Sequence, residues 1–271
     1  MLKFDREALE KSAHNIRKSI VNTIITNGEG HAGSALSCSD ILAVLFLGVM
    51  KEDDKFLLSG GHKCLALYGT LVEKGIVDKS VLCTYNMLGT PVPGHPDAHK
   101  LPGVEFSTGS LGHGLPLGCG YAAAAKIKGE GYMTYVLMGD GEQGEGTNWE
   151  AAAFAALRKQ DNLVAIIDEN GLQINGRTTE ISKPTDLEDR YRAFGWSVRT
   201  VDGHDVKALY DALKAAPFEE GKPSMIVAKT VKGKGVSFME NKAQYHHWHP
   251  GEQEANMALE EMKNTEKRWQ R

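Results

Sequence analysis

The chain has 271 residues, with Lys+Arg 31 against Asp+Glu 35, a formal charge of -4 and 24% charged residues, the composition of a soluble globular protein. This balance excludes a disordered chain. It also argues against a nucleic-acid binder, since the densest basic stretch, residues 229–235, is a short run between glycines rather than a basic stripe.

Leu9, Ala13, Ile16, Ile20 and Ile24 recur at spacings of three and four, so residues 5–27 are predicted to form a helix with one apolar face. No signal or transit peptide is visible in the opening residues, so the cytoplasm is the expected compartment. The helix runs into a glycine-rich loop, 27–33. The longest apolar run, residues 41–50, follows Ser39-Asp40 and is too short for the roughly 20 residues of a membrane span, so it reads as a buried helix. A short strand at 56–59, the turn Gly60-Gly61-His62 and a helix through Glu73 come next. The stretch 89–114 carries four prolines and six glycines, and is read as an ordered active-site loop leading into an alanine-rich helix at 120–125. Four cysteines without a CxxC pair point to reduced thiols rather than a disulfide framework or a zinc ribbon.

The later half alternates strictly. Strands at 134–138, 163–167, 196–201 and 225–227 are separated by helices at 149–158 and 206–215. Strands apolar on both faces and alternating with helices imply a doubly wound parallel sheet, an α/β fold covered on both sides. One domain, residues 1–251, is expected, followed by a charged helical tail at 252–271.

The sharpest chemical signal is Gly139-Asp140-Gly141 after one buried strand and Asn170 just after the next, 30 residues beyond Asp140. One right-handed crossover accounts for that length and puts both side chains at the carboxyl edge of the sheet, where α/β proteins bind ligands. A carboxylate and an amide oxygen there suit Mg²⁺, and the glycines let backbone amides meet a diphosphate. A GDG turn that binds nothing is the bland alternative.

This pair resembles the thiamine diphosphate signature, and five segments in order narrow the resemblance to the transketolase family: GEGHAGSALS (28–37), LLSGGHKCLALY (57–68), PGHPDAHKLPGVEFSTGSLGHG (93–114), GDGEQGEGTNWEAA (139–152) and DENGLQING (168–176). The resemblance implies thiamine diphosphate and Mg²⁺ (or Ca²⁺ or Mn²⁺) as cofactors, with Asp140, Asn170 and the carbonyl of Leu172 as metal ligands. It implies diphosphate contacts from Gly139, Gly141 and Asn170, and aminopyrimidine contacts from Gly109 and Leu111. His31, His62 and His95 match histidines that line the cleft and assist proton transfers, with His62 also near the cofactor. His246 matches a histidine near the diphosphate that also faces substrate, and Glu145 a carboxylate at the subunit interface. The imidazole case stands on chemistry too, since breaking a carbon–carbon bond beside a ketose carbonyl requires moving protons near neutral pH. His14, His99 and His204 read as structural or surface residues.

Three departures from the family pattern stand out. Ala32 follows His31 where proline is usual, His113 replaces a glutamine, and His247 replaces a glycine. The run Tyr245 to Pro250 lacks the partner motif typical of a zinc site, and reads as a loop closing over the cofactor. The chain also resembles only the amino-terminal part of a transketolase. The resemblance therefore implies a C-terminal, pyrimidine-binding partner subunit in an α₂β₂ arrangement, with sugar phosphates as substrates and neither nucleic acid nor membrane as a partner. Another thiamine-dependent enzyme, of the deoxyxylulose phosphate synthase or 2-oxo-acid dehydrogenase type, and a non-catalytic scaffold are the rival readings.

Overall fold

A computed structural model describes residues 4–182 and 186–269. Asp5 caps the first helix, α1 (Arg6–Asn27), by accepting from the Ala8 amide at 3.0 Å, and Gly28 ends it at φ 86, its N–H donating to the Ile24 carbonyl. The left-handed exit is one that glycine adopts without strain. The predicted stripe Leu9, Ala13, Ile16, Ile20 and Ile24 is buried along the inner face.

Two short helices, α2 (Gly33–Ser37) and α3 (Ser39–Val44), come next. Sequence reading extended the second through residue 50 as one helix. It instead widens into a single π turn at Leu45–Val49, closed by the Met50 amide on the Leu45 carbonyl at 2.8 Å. Gly48 in that turn lies against the ring of Tyr210, where even a Cβ would come within 3.3 Å, so the wide turn brings bare backbone onto a neighbouring helix.

Strand β1 (Lys55–Leu58) and helix α4 (Cys64–Glu73) are followed by the long loop and α5 (Gly114–Lys128). Then come β2 (Thr134–Gly139), α6 (Gly146–Leu157), β3 (Leu163–Glu169) and a small hairpin, β4 (Leu172–Gln173) with β5 (Gly176–Arg177). The remainder is α7 (Thr178–Ile181), α8 (Leu187–Ala193), β6 (Ser197–Asp202), α9 (Val206–Lys214), β7 (Ser224–Lys229) and α10 (Glu252–Glu266).

Five strands form one parallel sheet in the order β1-β2-β3-β7-β6. Alternate residues feed two cores. Phe56, Leu58, Tyr135, Leu137, Val164, Ile166, Ile226 and Ala228 pack toward α1, α3, α4 and α9; Leu57, Val136, Met138, Ala165, Ile167, Met225 and Val227 pack toward α5, α6 and α8. This period of two, apolar on both faces, is the doubly wound architecture expected from the sequence. β6 departs from the fully apolar expectation: as an edge strand it leaves Arg199, Thr200 and Asp202 exposed, and charged side chains there discourage pairing with another chain.

α10 packs on α1, with Ala258 and Met262 buried and Lys18 pairing to Glu266 at 2.7 Å. Residues 270–271 of the expected tail helix lie outside the described residues. All four cysteines are free thiols, and among the described residues no helix is long and apolar enough to cross a membrane.

Candidate active site

A cleft of about 240 Å³ opens at the carboxyl edge of the sheet. Four of the five strands deliver residues to it: His62 and Lys63 after β1, Gly139 to Glu142 at the end of β2, Asn170 and Leu172 after β3, and Lys232 after β7. This convergence follows from parallel pairing, which aligns the strand ends on one edge. The long loop adds His95, Gly109 and Leu111, and the segments beside α2 and α10 add His31 and His246. Every residue that sequence reading assigned to catalysis, cofactor or metal therefore lines one cleft. Glu145 lies outside it, exposed at the start of α6, and His113 is exposed at the start of α5.

The loop is ordered, as expected, by specific bonds. Cys64 Sγ and the Tyr68 hydroxyl donate to the carbonyls of Gly94 and Pro93 at 3.1 and 2.8 Å, and Thr108 Oγ1 donates to the Leu58 carbonyl at 2.7 Å. Its far end is held by Glu142, a buried carboxylate. One oxygen accepts from Ser59 Oγ and from the Gly112 amide at 2.8 Å; the other accepts from the Gly139 amide at 2.9 Å. Glu142 thus ties β1, β2 and the loop together. Gly114, at the same junction, lies so close to β1 that a Cβ would fall 2.3 Å from Ser59 Cβ and 2.6 Å from its Cα. Gly114→Ala is expected to cost about 1–3 kcal/mol, because backbone and not a flexible side chain must give way; a chemical-denaturation midpoint equal to wild type would refute the docking.

Asp140 is buried, with Oδ1 accepting from the Gly141 amide at 2.9 Å and Oδ2 from the Gly171 amide at 2.6 Å. Burial, reinforced by the charge of Asp168, pushes its carboxyl up to about 6. Asn170 Nδ2 donates to Asp168 Oδ2 at 3.3 Å and Ser37 Oγ at 3.4 Å, while Oδ1 accepts from the Leu172 amide at 3.2 Å. Beneath them Lys63 Nζ meets Asp168 Oδ2 at 2.7 Å, both side chains essentially inaccessible, and Ser37 and Thr230 also donate to that carboxylate. Burial opposes both charges, but each partner outweighs it, holding Asp168 below and Lys63 above their ordinary values.

The histidines form a cluster. The ring of His31 lies 5.7 Å from His62, 5.9 Å from His95 and 5.3 Å from His246, and His62 lies 5.2 Å from His246. Burial first, then mutual repulsion and Lys232, pulls His31 down to about 4; burial followed by Lys232 and His31 takes His246 to about 3. His62 lies well below its usual value, through burial and then Lys63, and His95 is lowered by burial. All four are therefore neutral imidazoles at pH 7, each able to accept one proton and donate from the other nitrogen.

The family model described as the transketolase thiamine diphosphate binding domain matches residues 9–268. The chain belongs to the transketolase family. It is 42% identical over 269 residues to one subunit of the apulose-4-phosphate transketolase of Actinobacillus succinogenes, covering 95% of this chain and 97% of that one. It is 40% identical over 270 residues to 6-deoxy-6-sulfo-D-fructose transketolase subunit SqwG of Clostridium sp. (strain MSTE9), covering 96% and 93%. The solved transketolase of Campylobacter jejuni superposes with a TM-score of 0.89 at 31% identity, over 96% of this chain but only 43% of that one. This transketolase-family chain thus spans less than half the length of that relative.

The cleft residues fit the cofactor that the family domain implies. Asp140, Asn170 Oδ1 and the Leu172 carbonyl form an all-oxygen donor set, and a buried carboxylate with a raised pKa is one that a divalent cation stabilises. The Leu172 carbonyl has only the distant Lys232 ammonium, at 3.4 Å, as a side-chain donor. His31 Nδ1 and Gln173 Oε1 are buried beside the cleft without hydrogen-bond partners, as expected of groups that await a polar ligand. Lys232, pulled down to about 8 by burial, supplies positive charge where a diphosphate would lie.

Sequence reading missed Lys63, Glu142, Asp168 and Lys232. The signals were present: Lys63 precedes the apolar run CLAL, and Asp168 closes the apolar strand LVAII, so each charge is forced inward by its neighbours. Also missed was the β4–β5 hairpin, which brings Gln173 and Ile174 to the cleft with Ile174 at φ 40, a left-handed conformation costly for a β-branched residue.

Proposed function

We propose that this chain is the amino-terminal, cofactor-binding subunit of a two-polypeptide transketolase that moves a two-carbon ketol unit from a ketose phosphate to an aldose phosphate. The observation that carries the reading is the near end-to-end match to relatives named as single transketolase subunits, against 43% coverage of the Campylobacter jejuni chain. A C-terminal, pyrimidine-binding subunit supplies the remainder, and an α₂β₂ assembly buries Glu145 at the interface.

In this reading Asp140, Asn170 and Leu172 hold Mg²⁺, and Gly139 and Gly141 leave room for the diphosphate against backbone, with Lys232 balancing its charge. Gly109 and Leu111 present the loop to the pyrimidine ring. When bound, thiamine diphosphate supplies the electron sink for the carbanion left by carbon–carbon cleavage. The chain's own part in that step is proton traffic and positioning. Neutral His31, His62, His95 and His246 surround the space a sugar hydroxyl must occupy, so one imidazole takes the proton released at a hydroxyl while its neighbours donate hydrogen bonds. Burial, ahead of the repulsion from neighbouring rings and Lys232, disfavours a proton on His31 and His246, which suits passing it on rather than storing it.

Donor choice tests the reading. With the native complex, thiamine diphosphate and Mg²⁺, ketose phosphates are expected to be cleaved and the fragment transferred to an aldose phosphate, with apulose 4-phosphate and 6-deoxy-6-sulfofructose in the panel beside xylulose 5-phosphate. Consumption of pyruvate alone would favour the deoxyxylulose phosphate synthase or 2-oxo-acid dehydrogenase reading. No turnover of any donor, with cofactor retained, would favour a scaffold.

A further inference from the structure

The single backbone bridge between Gly30 and Trp248 organises a second cluster, outside the cofactor cleft. The Gly30 amide donates to the Trp248 carbonyl at 3.1 Å and the Trp248 amide to the Gly30 carbonyl at 2.8 Å, an antiparallel pair. Side chains alternate across such a pair, so Trp248 turns inward, where it is buried and its Nε1 donates to Glu254 Oε2 at 2.8 Å. The flanking residues then share the outer face in opposed couples. His31 meets His247, ring centroids 4.5 Å apart, and Glu29 meets His249, with Oε2 3.9 Å from Nδ1. His247 Nδ1 lies 3.1 Å from His249 Nε2.

We propose, against the sequence expectation for the run Tyr245 to Pro250, that Glu29, His247 and His249 form a second metal site at the mouth of the cleft, for a first-row transition dication of which Zn²⁺ is the reference case: the carboxylate partner that the run itself lacks comes from Glu29 on the facing segment. One donor atom from each lies within 4.8 Å of the others, the one such group among the described residues. The 3.1 Å between His247 Nδ1 and His249 Nε2 is close to the roughly 3.3 Å that separates two imidazole nitrogens on a tetrahedral zinc at about 2.0–2.1 Å, and with His249 Nε2 as the ligand its Nδ1, 3.9 Å from Glu29 Oε2, stays off the ion. The donor set is two nitrogens and one carboxylate, which selects Zn²⁺, Co²⁺, Ni²⁺ or Cu²⁺ over the Mg²⁺ that the all-oxygen set in the cleft suits. Asn86 Nδ2 donates to Glu29 Oε1 at 3.0 Å, leaving Oε2 for the metal and fixing the carboxylate as outer-shell partners do. Solvent completes the coordination, and an ion held there stands beside the neutral ring of His31 at the entrance.

The test uses the full, untagged chain saturated with Mg²⁺ and thiamine diphosphate so that the oxygen site is filled, and titrates Co²⁺ alone as the probe, read by visible absorption. One equivalent of Co²⁺ with the intense bands of a four-coordinate, nitrogen-ligated ion is expected, displaced by Zn²⁺. Affinity should fall tenfold or more in His249→Asn and separately in Glu29→Gln, both solvent-reachable side chains whose loss leaves the fold intact. Absence of the bands, or identical spectra and affinity in both variants, overturns the proposal. The readout involves no sugar and no turnover, so it stands or falls independently of the transketolase reading.

Discussion

Asp140→Asn is expected to abolish Mg²⁺-dependent thiamine diphosphate binding while leaving the fold in place. The amide keeps the size of the carboxylate and one oxygen for the Gly171 amide, but its nitrogen then faces the Gly141 amide, so the cost in the cofactor-free chain is about 1–3 kcal/mol, too little to unfold the domain. It also removes a negative charge that stands unfavourably near Asp168 in a buried site. For the cofactor complex the balance is reversed, because the anionic ligand that faces the divalent ion is gone. Loss of an outer-shell partner alone costs a metal site 10–100-fold, so loss of this ligand should weaken binding by more than about 100-fold. Isothermal titration of the partner-containing complex, beside a thermal melt of the cofactor-free chain, separates the two effects. A variant that melts normally and binds cofactor like wild type would remove Asp140 from the site.

Lys63→Met is expected to produce the opposite pattern, a large loss of stability. The ammonium is buried against Asp168 with no solvent to replace it, and methionine fills the stem without supplying charge. Ser37, Asn170 and Thr230 still donate to the carboxylate, but an uncompensated buried charge costs about 3–5 kcal/mol. In a domain of this size that corresponds to a fall in Tm of about 5–9 °C. The double variant Lys63→Met/Asp168→Asn should recover much of the loss, since both charges are then gone. Calorimetry of the two proteins decides it, and a single variant within 1 kcal/mol of wild type would contradict the pairing. Because Asp168 also holds the Asn170 amide, Lys63→Met should weaken cofactor binding as well, through position rather than contact.

The two cores were legible because the strands carry apolar residues on both faces, a pattern open to little besides a covered parallel sheet. Asp140 and Asn170 were legible because a crossover of 30 residues has one handedness, and so one edge of the sheet on which to leave them. The histidines were found by family motif, and what the sequence could not supply was their mutual distance: His31 and His246 are 215 positions apart, brought within 5.3 Å by the Gly30–Trp248 bridge. That bridge is a single pair of hydrogen bonds with no strand pattern around it. The buried charges were hidden for a related reason. Lys63 and Asp168 are 105 positions apart and Glu142 meets Ser59 across 83, and spacing along the chain carries no trace of such pairs. The hairpin at β4–β5 escaped notice because its turn, Ile174-Asn175, lacks the glycine that usually marks a left-handed corner.

As proposed, this chain works as one of two unlike subunits sharing thiamine diphosphate. Native mass spectrometry of the complex purified from its own cells, with thiamine diphosphate and Mg²⁺ present, tests it directly. The expected result is a second, different chain of roughly 30–35 kDa, on the scale of typical domain sizes, in equal number with this one, and cofactor retained in the complex. A homodimer of this chain alone, with no second polypeptide and no retained cofactor, would contradict it.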